Sequence, residues 1–256
     1  MAARKASRPA KSRKSAASAR REPLRRIASE STRQRPAAPS GARRRQKPNK
    51  SSPGGASAKS TRPSPPARPV PKLRFESLTP QRWGDLCALF GERGACGGCW
   101  CMHWRLPAAE YTAGKGAKNR GRLKALVDSG RASGVIAYAG DRPIGWAAVE
   151  PRSVFVRLGS SRVLRGGDDL PVWSVPCLFV LSEFRNRGVS IELLKAASAH
   201  AKSRGARVLE GYPVIPRREK MPAAFAWTGT LSAFVAAGFE EFVRHSPVRP
   251  VMRKAL

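Results

Sequence analysis

Six consecutive residues carry the clearest chemistry in this chain: Arg185-Asn186-Arg187-Gly188-Val189-Ser190. An apolar run, Val172 to Leu181, precedes them, and a stretch reaching about Arg204 follows. In that stretch Val189, Leu193, Ala197 and Ala201 recur every fourth residue, and Gly205 stands at its end. The pattern predicts strand, turn and amphipathic helix. The first turn of a helix leaves N–H groups without intrahelical acceptors and carries the positive end of the helix dipole. Glycine lets an anion approach the backbone, and Arg185 and Arg187 add charge-assisted donors. The chemistry this suits is the binding of a pyrophosphate.

A second group is Cys96, Cys99, Cys101 and His103, four soft ligands within eight residues. Three thiols and an imidazole could hold one zinc ion, although no distant second pair completes the spacing. Two-residue strand spacing would put Cys99, Cys101 and His103 on one face. Plain core packing accounts for the cluster equally, and no metal is expected. His200 shares a helix side with Leu193 and reads as a packing or surface histidine; His245 gives no signal.

The elements that must position these groups follow from periodicity. Leu73 to Leu78 alternates as a half-buried strand does. Thr79-Pro80 starts a helix carrying Trp83, Leu86, Leu89 and Phe90, which Gly94 to Gly98 breaks. A helix over Lys118–Ser129 ends at Gly130, where a C-cap glycine belongs. Gly134–Ala139 and Pro143–Glu150 form a hairpin around Gly140-Asp141-Arg142. Residues 151–170 read as a loop-rich connection ending in Arg165-Gly166-Gly167-Asp168-Asp169. Val172–Leu181 reads as a strand buried on both faces, with Pro176 marking a bulge or splay. After the helix comes a strand over Arg207–Val214, so strand, helix and strand make a parallel right-handed crossover. A short helix at Leu231–Ala236 and two strands, Phe239–Val243 and Arg249–Arg253, close the domain.

On these residues the sequence resembles the GNAT acetyltransferase superfamily. Leu178-Phe179-Val180, then Arg185, Gly188 and Ser190, look like its acetyl-CoA motif, with Ser190 where glycine or alanine is usual. The likeness spans residues 73–256. It implies an α/β fold with a mixed central sheet, helices on both faces, and a splayed parallel strand pair forming the acetyl-CoA slot. It further implies that backbone groups of Leu178 and Val180 pair with the pantetheine arm, and that amides from Arg185 to Ser190, including Asn186, Arg187 and Val189, hold the pyrophosphate. The activity implied is transfer of an acetyl group from acetyl-CoA to an amine by direct attack. Glu150, ending the hairpin, is then the candidate base, and Tyr212 the candidate acid for the leaving thiolate. The family's usual tyrosine acid has no counterpart here, where Trp227, Thr228 and Ser232 stand. The cysteine-rich segment becomes the expected acceptor wall, through Cys99, Trp100, Cys101, Trp104 and Arg105.

Charge divides the chain. Of its 49 Lys and Arg, 21 lie in residues 1–72, against two of its 17 Asp and Glu. That segment has no aromatic residue and few aliphatic ones, so burial cannot offset the roughly 1–2 kcal/mol of ordering entropy per residue, and a disordered basic tail is expected. Its clusters, such as Arg43-Arg44-Arg45, would bind nucleic acid or another polyanion without sequence preference. A solvated linker is the plainer reading. The Arg- and Ser-rich composition also fits a transit peptide, although Pro9, Pro23, Pro36, Pro39 and Pro48 oppose a long amphipathic helix. The alternative function is therefore a nucleic-acid-associated protein with a cofactor-sensing or inactive GNAT-like domain. No apolar run is long enough to cross a membrane, and no secretory h-region is present. Five cysteines, an odd count, suit reduced thiols in the cytoplasm. The final hairpin leaves monomer and homodimer both open.

Overall fold

The computed structural model describes residues 72–216, 222 and 225–256. Apart from Lys72, the basic segment 1–72 lies outside the described residues. The strands are β1 (Leu73–Ser77), β2 (Gly134–Ala139), β3 (Arg142–Pro151), β4 (Trp173–Val180), β5 (Val208–Gly211), β6 (Glu240–Arg244) and β7 (Pro250–Ala255). The α-helices are α1 (Trp83–Phe90), α2 (Ala108–Ala113), α3 (Ala117–Asp128), α4 (Val156–Gly159), α5 (Val189–Ser203) and α6 (Leu231–Ala236). The sheet order is β1-β2-β3-β4-β5-β7-β6. Among the strands of the described residues only β4 and β5 pair in parallel. Among the described residues no helix is long and apolar enough to cross a membrane.

Alternation along β2 and from Trp146 to Val149 of β3, with a register shift opposite Gly145, builds two cores. Ala137, Ile144 and Ala147 face α5 and α6 with Leu193, Leu194, Ala197 and Phe234. Ile136, Tyr138, Trp146 and Ala148 face the opposite way, against Leu86, Leu89 and Phe90 of α1 and Leu123 and Val127 of α3. Helices thus cover both faces. Each buried leucine contributes roughly 1.5–3 kcal/mol relative to exposure. α5 holds its place by the four-residue spacing read in the sequence, since Val189, Leu193, Ala197 and Ala201 are all buried.

The parallel pair is short. Trp173, Ser174 and Val175 match Leu209, Glu210 and Gly211, and pairing stops there. The cause is local. Pro176 follows Val175 and has no N–H to give, and its carbonyl accepts from the Trp104 indole Nε1–H at 3.1 Å. Across the pair, the Phe234 ring lies where a side chain on Gly211 would stand. The two strands therefore part after Val175 and Gly211, and the expected strand to Val214 ends at Gly211. Val214 instead makes an isolated parallel bridge with Thr230.

Candidate active site

The turn after β4 is built as its residues dictate. Gly188 caps α5 with φ 78°, a left-handed conformation, and a side chain there would meet nothing within 4 Å. Asn186 is also left-handed, at φ 57°. The cap carbonyl of Gly188 accepts from Ile191 and Glu192 at 2.9 and 3.2 Å, leaving the N–H groups of the first turn directed outward. The Arg185 side chain folds back, and its Nε donates to the Val180 carbonyl at 2.9 Å. That carbonyl, expected to pair with a pantetheine arm, is engaged by the chain itself.

The other expected pairing group is engaged too. The Leu178 N–H donates to the Trp227 carbonyl at 2.7 Å. Gly229 accepts from Val214 N–H at 2.9 Å, so the segment from Trp227 to Gly229 spans the gap between the parted strands. Thr228 within it is fully buried, and its hydroxyl has no partner among the described residues.

Beside Leu178 lies a cavity of about 150 Å³. Ala95, Cys96, Cys99, Cys101, His103 and Trp104 form one wall, and Tyr111, Cys177, Leu178, Phe179 and Trp227 complete it. Among the described residues no carboxylate lines it. The His103 ring packs edge-on against Trp104, Tyr111 and Trp227, with centroids 4.8, 5.0 and 4.8 Å away. Arg157 Nη1 stands 3.2 Å from His103 Nδ1. A guanidinium only donates, so Nδ1 accepts and the neutral ring carries its proton on Nε2. Burial, then the charges of Arg157 and Lys115, push the imidazole down to about 4. His103 is therefore neutral at pH 7, a donor rather than a base.

The sulfurs differ. Cys101 Sγ accepts from Trp146 Nε1–H at 3.0 Å and lies 3.7 Å from Cys177 Sγ. The hydrogen bond from Cys177 holds Cys101 below the ordinary thiol range despite burial, and Trp146 and Arg105 act in the same direction. Cys177 is driven well up by that same bond and by burial. Cys99 donates to the Gly94 carbonyl at 3.6 Å, and burial pushes it up to about 12.

Of the residues expected to form an acceptor wall, Cys99, Cys101 and Trp104 line this cavity. Trp100 does not: it packs into the core beside Trp83 and Phe90. Arg105 is buried in an ion pair with Glu150. The grouping of Cys99, Cys101 and His103 holds without a strand. The backbone turns through left-handed Trp100 and Cys101, at φ 43° and 50°. Among the described residues no group of three or more His, Cys, Asp or Glu is arranged to hold a metal ion.

Glu150 and Tyr212 stand apart from the cavity. The Glu150 carboxylate binds Arg105 and accepts the Ser133 N–H at 3.0 Å. Tyr212 is fully buried; its hydroxyl donates to Glu210 at 2.7 Å and lies 2.8 Å from Ser174 Oγ. Glu210 in turn pairs with Arg253 at 2.9 Å and Arg152 at 3.4 Å. Burial and Glu210 hold the phenol well above its usual range. Tyr212 is tied into a buried network, and Glu150 Oε1 is held by both Arg105 and Ser133. Cavity residues that sequence reasoning did not place there are Tyr111, Cys177 and Trp227.

A family model described as the acetyltransferase (GNAT) family matches residues 101–213, from the cavity wall through β5. Over these residues the chain carries a GNAT acetyltransferase-family region. Its domain is an acyltransferase domain with the mixed, helix-flanked sheet of that superfamily. Solved structures similar to it include the GNAT domain of S. lividans PAT, 18% identical with TM-score 0.40, covering 72% of this chain and 90% of that one. A putative arylalkylamine N-acetyltransferase 7 from the yellow fever mosquito is 14% identical with TM-score 0.45, covering 72% and 87%. The PaiA N-acetyltransferase from Thermoplasma acidophilum in complex with coenzyme A is 13% identical with TM-score 0.42, covering 72% and 99%. No curated protein matches the chain.

The residues of this GNAT domain fit a CoA-type diphosphate. The first-turn N–H groups of Val189 and Ser190, the open space above Gly188 and the exposed Arg185 supply donors without steric conflict.

Proposed function

We propose that this GNAT domain transfers an acetyl group from acetyl-CoA to the primary amine of an otherwise apolar, uncharged acceptor by direct attack. The observation that carries this reading is the parting of β4 and β5 beside the Gly188-capped start of α5, with an apolar cavity opening at Leu178. Bound acetyl-CoA supplies the thioester carbon that the amine attacks. The chain's part is to hold, orient and dry the reactants.

An amine with a pKa near 10.4 costs about 4–5 kcal/mol to deprotonate at pH 7. Among the described residues none lining the cavity is a carboxylate that would stabilise the ammonium form. Apolar walls favour the neutral amine by desolvation. Aromatic rings of Trp104, Tyr111 and Trp227 would grip its body. The Leu178 N–H is the donor aimed at the slot, and it becomes available when the Trp227 carbonyl releases it.

The test is product formation, followed by chromatography, from acetyl-CoA and paired amines that differ only in a carboxylate. Apolar amines should be acetylated with kcat/KM at least about tenfold above their acidic counterparts. Trp227→Ala should raise KM for the apolar amine about tenfold, the equivalent of about 1.4 kcal/mol, and change kcat less. A preference for carboxylate-bearing amines, or no acetylated product from any amine, would overturn the reading.

A further inference from the structure

Four of the five cysteines meet in the cavity, and two of them form a pair that the acyl-transfer reading does not use. Cys101 comes from the turn-rich segment after α1, and Cys177 from β4. They are 76 positions apart in sequence, yet their sulfurs stand 3.7 Å from each other. Their surroundings are unequal. Cys101 receives the Trp146 indole N–H and lies near the Arg105 cation, whereas Cys177 has Cys101 as its only sulfur contact within bonding reach. Both open on the cavity, whose volume of about 150 Å³ admits molecules the size of water. Cys101 is held there in a left-handed backbone, φ 50°, which a non-glycine residue rarely adopts.

From this geometry we infer that Cys101 and Cys177 form a peroxide-reactive thiol pair, in which Cys101 is the attacking sulfur and Cys177 the resolving one. The Cys101 thiolate attacks one oxygen of hydrogen peroxide. An S–O bond forms, the O–O bond breaks, and the second oxygen leaves as hydroxide, which takes up the proton that Cys101 released. Cys177 sulfur then attacks the sulfenic sulfur. The S–S bond forms, the S–O bond breaks, and the oxygen leaves as water with the Cys177 proton. Two thiols and one peroxide become one disulfide and two waters. A disulfide bond is about 2.0 Å long, so the sulfurs need approach by less than 2 Å. Cys99 is a poorer resolving group because its thiol is turned to the Gly94 carbonyl. The bond would tie the cysteine-rich segment to β4 one residue before Leu178 and narrow the cavity. It places a reversible oxidative modification site in a domain whose family assignment does not require one, and it is independent of the acceptor.

The experiment treats the reduced full-length chain with hydrogen peroxide, blocks remaining thiols, and maps peptides by mass spectrometry. The expected result is a Cys101–Cys177 cross-link that dithiothreitol reverses, formed at least about tenfold faster than oxidation of Cys87 outside the cavity. In Cys177→Ser the cross-link disappears and Cys101 is captured as a sulfenic acid by a dione probe. In Cys101→Ser, Cys177 stays reduced. Should Cys101→Ser fail to fold, the wild-type map and Cys177→Ser, which keeps a donor, decide the matter. Oxidation of Cys87 ahead of Cys101, a cross-link through Cys96 or Cys99, or no dione adduct at Cys101 in Cys177→Ser would overturn the inference.

Discussion

The turn at Arg185–Ser190 and the cavity at Leu178 serve one proposed reaction but are made differently. The turn is six consecutive residues, and it works through backbone N–H groups aligned by the helix they begin. The cavity draws on residues 95–104, Tyr111, residues 177–179 and Trp227, and it works through side chains that meet only in the folded chain. A backbone site needs glycine at one position and freedom from clashes. A converging side-chain site depends on every element that delivers a wall. The first tolerates change in its side chains, and the second is exposed to changes far from the chemistry.

The sharpest way to break this comparison is to ask what the buried carboxylate of Glu150 and phenol of Tyr212 do. Glu150→Gln leaves Arg105 without its counter-charge, both side chains being nearly fully buried. It should destabilise the domain by about 3–5 kcal/mol, read as a fall in melting temperature on the order of 10 °C. Acetylation measured well below that melting point should change little in pH dependence. An unshifted melting curve with a hundredfold loss of kcat would instead make Glu150 a base.

Tyr212→Phe should have a smaller effect, about 1–3 kcal/mol, by removing the hydroxyl that donates to buried Glu210. Its kcat should remain within about twofold. A large loss of kcat with an unchanged melting temperature would return Tyr212 to the role of acid.

The smallest effect sharpens the view of the cavity as a neutral, dry site. An unfolded histidine takes up its proton near pH 6.5. His103 in the fold does so at about 4, and His200 is held down in the same direction by burial and then Arg204. Between these values the unfolded chain binds more protons, so stability is complete above about pH 6.5 and declines as pH falls toward 4. His103→Gln should flatten part of that decline in melting curves taken from pH 7 to pH 4. A decline identical to that of the wild type would show that His103 is not desolvated.

The difference between the two regions also governs how much could be read before the structure. The hairpin from Gly134 to Glu150 and the helix after Gly188 were legible because alternation and four-residue spacing are local signals. The turn was legible for the same reason. The strand expected over Arg207–Val214 was cut short at Gly211 by the Phe234 ring, a contact between residues 23 positions apart that no local pattern records. Residues 151–170 read as loop-rich, and α4 within them has four residues, too few for periodicity to register. Cys99, Cys101 and His103 were grouped on strand spacing; they do share a wall, by way of left-handed turns that composition alone does not reveal. Tyr111 and Trp227 reach the cavity through tertiary packing, and Trp100 and Arg105 are drawn away from it by aromatic stacking and by Glu150.

The central claim is that a CoA thioester binds between the parted strands with its diphosphate on the start of α5. Thermal unfolding of the full-length chain with and without acetyl-CoA tests it most directly. At about 100 times the dissociation constant, binding should add about 2.7 kcal/mol, a rise of roughly 5–10 °C. The same measurement on Arg187→Glu with Gly188→Glu should show no rise. The account is contradicted if the wild-type chain does not shift with acetyl-CoA, or if the double variant shifts as far as the wild type.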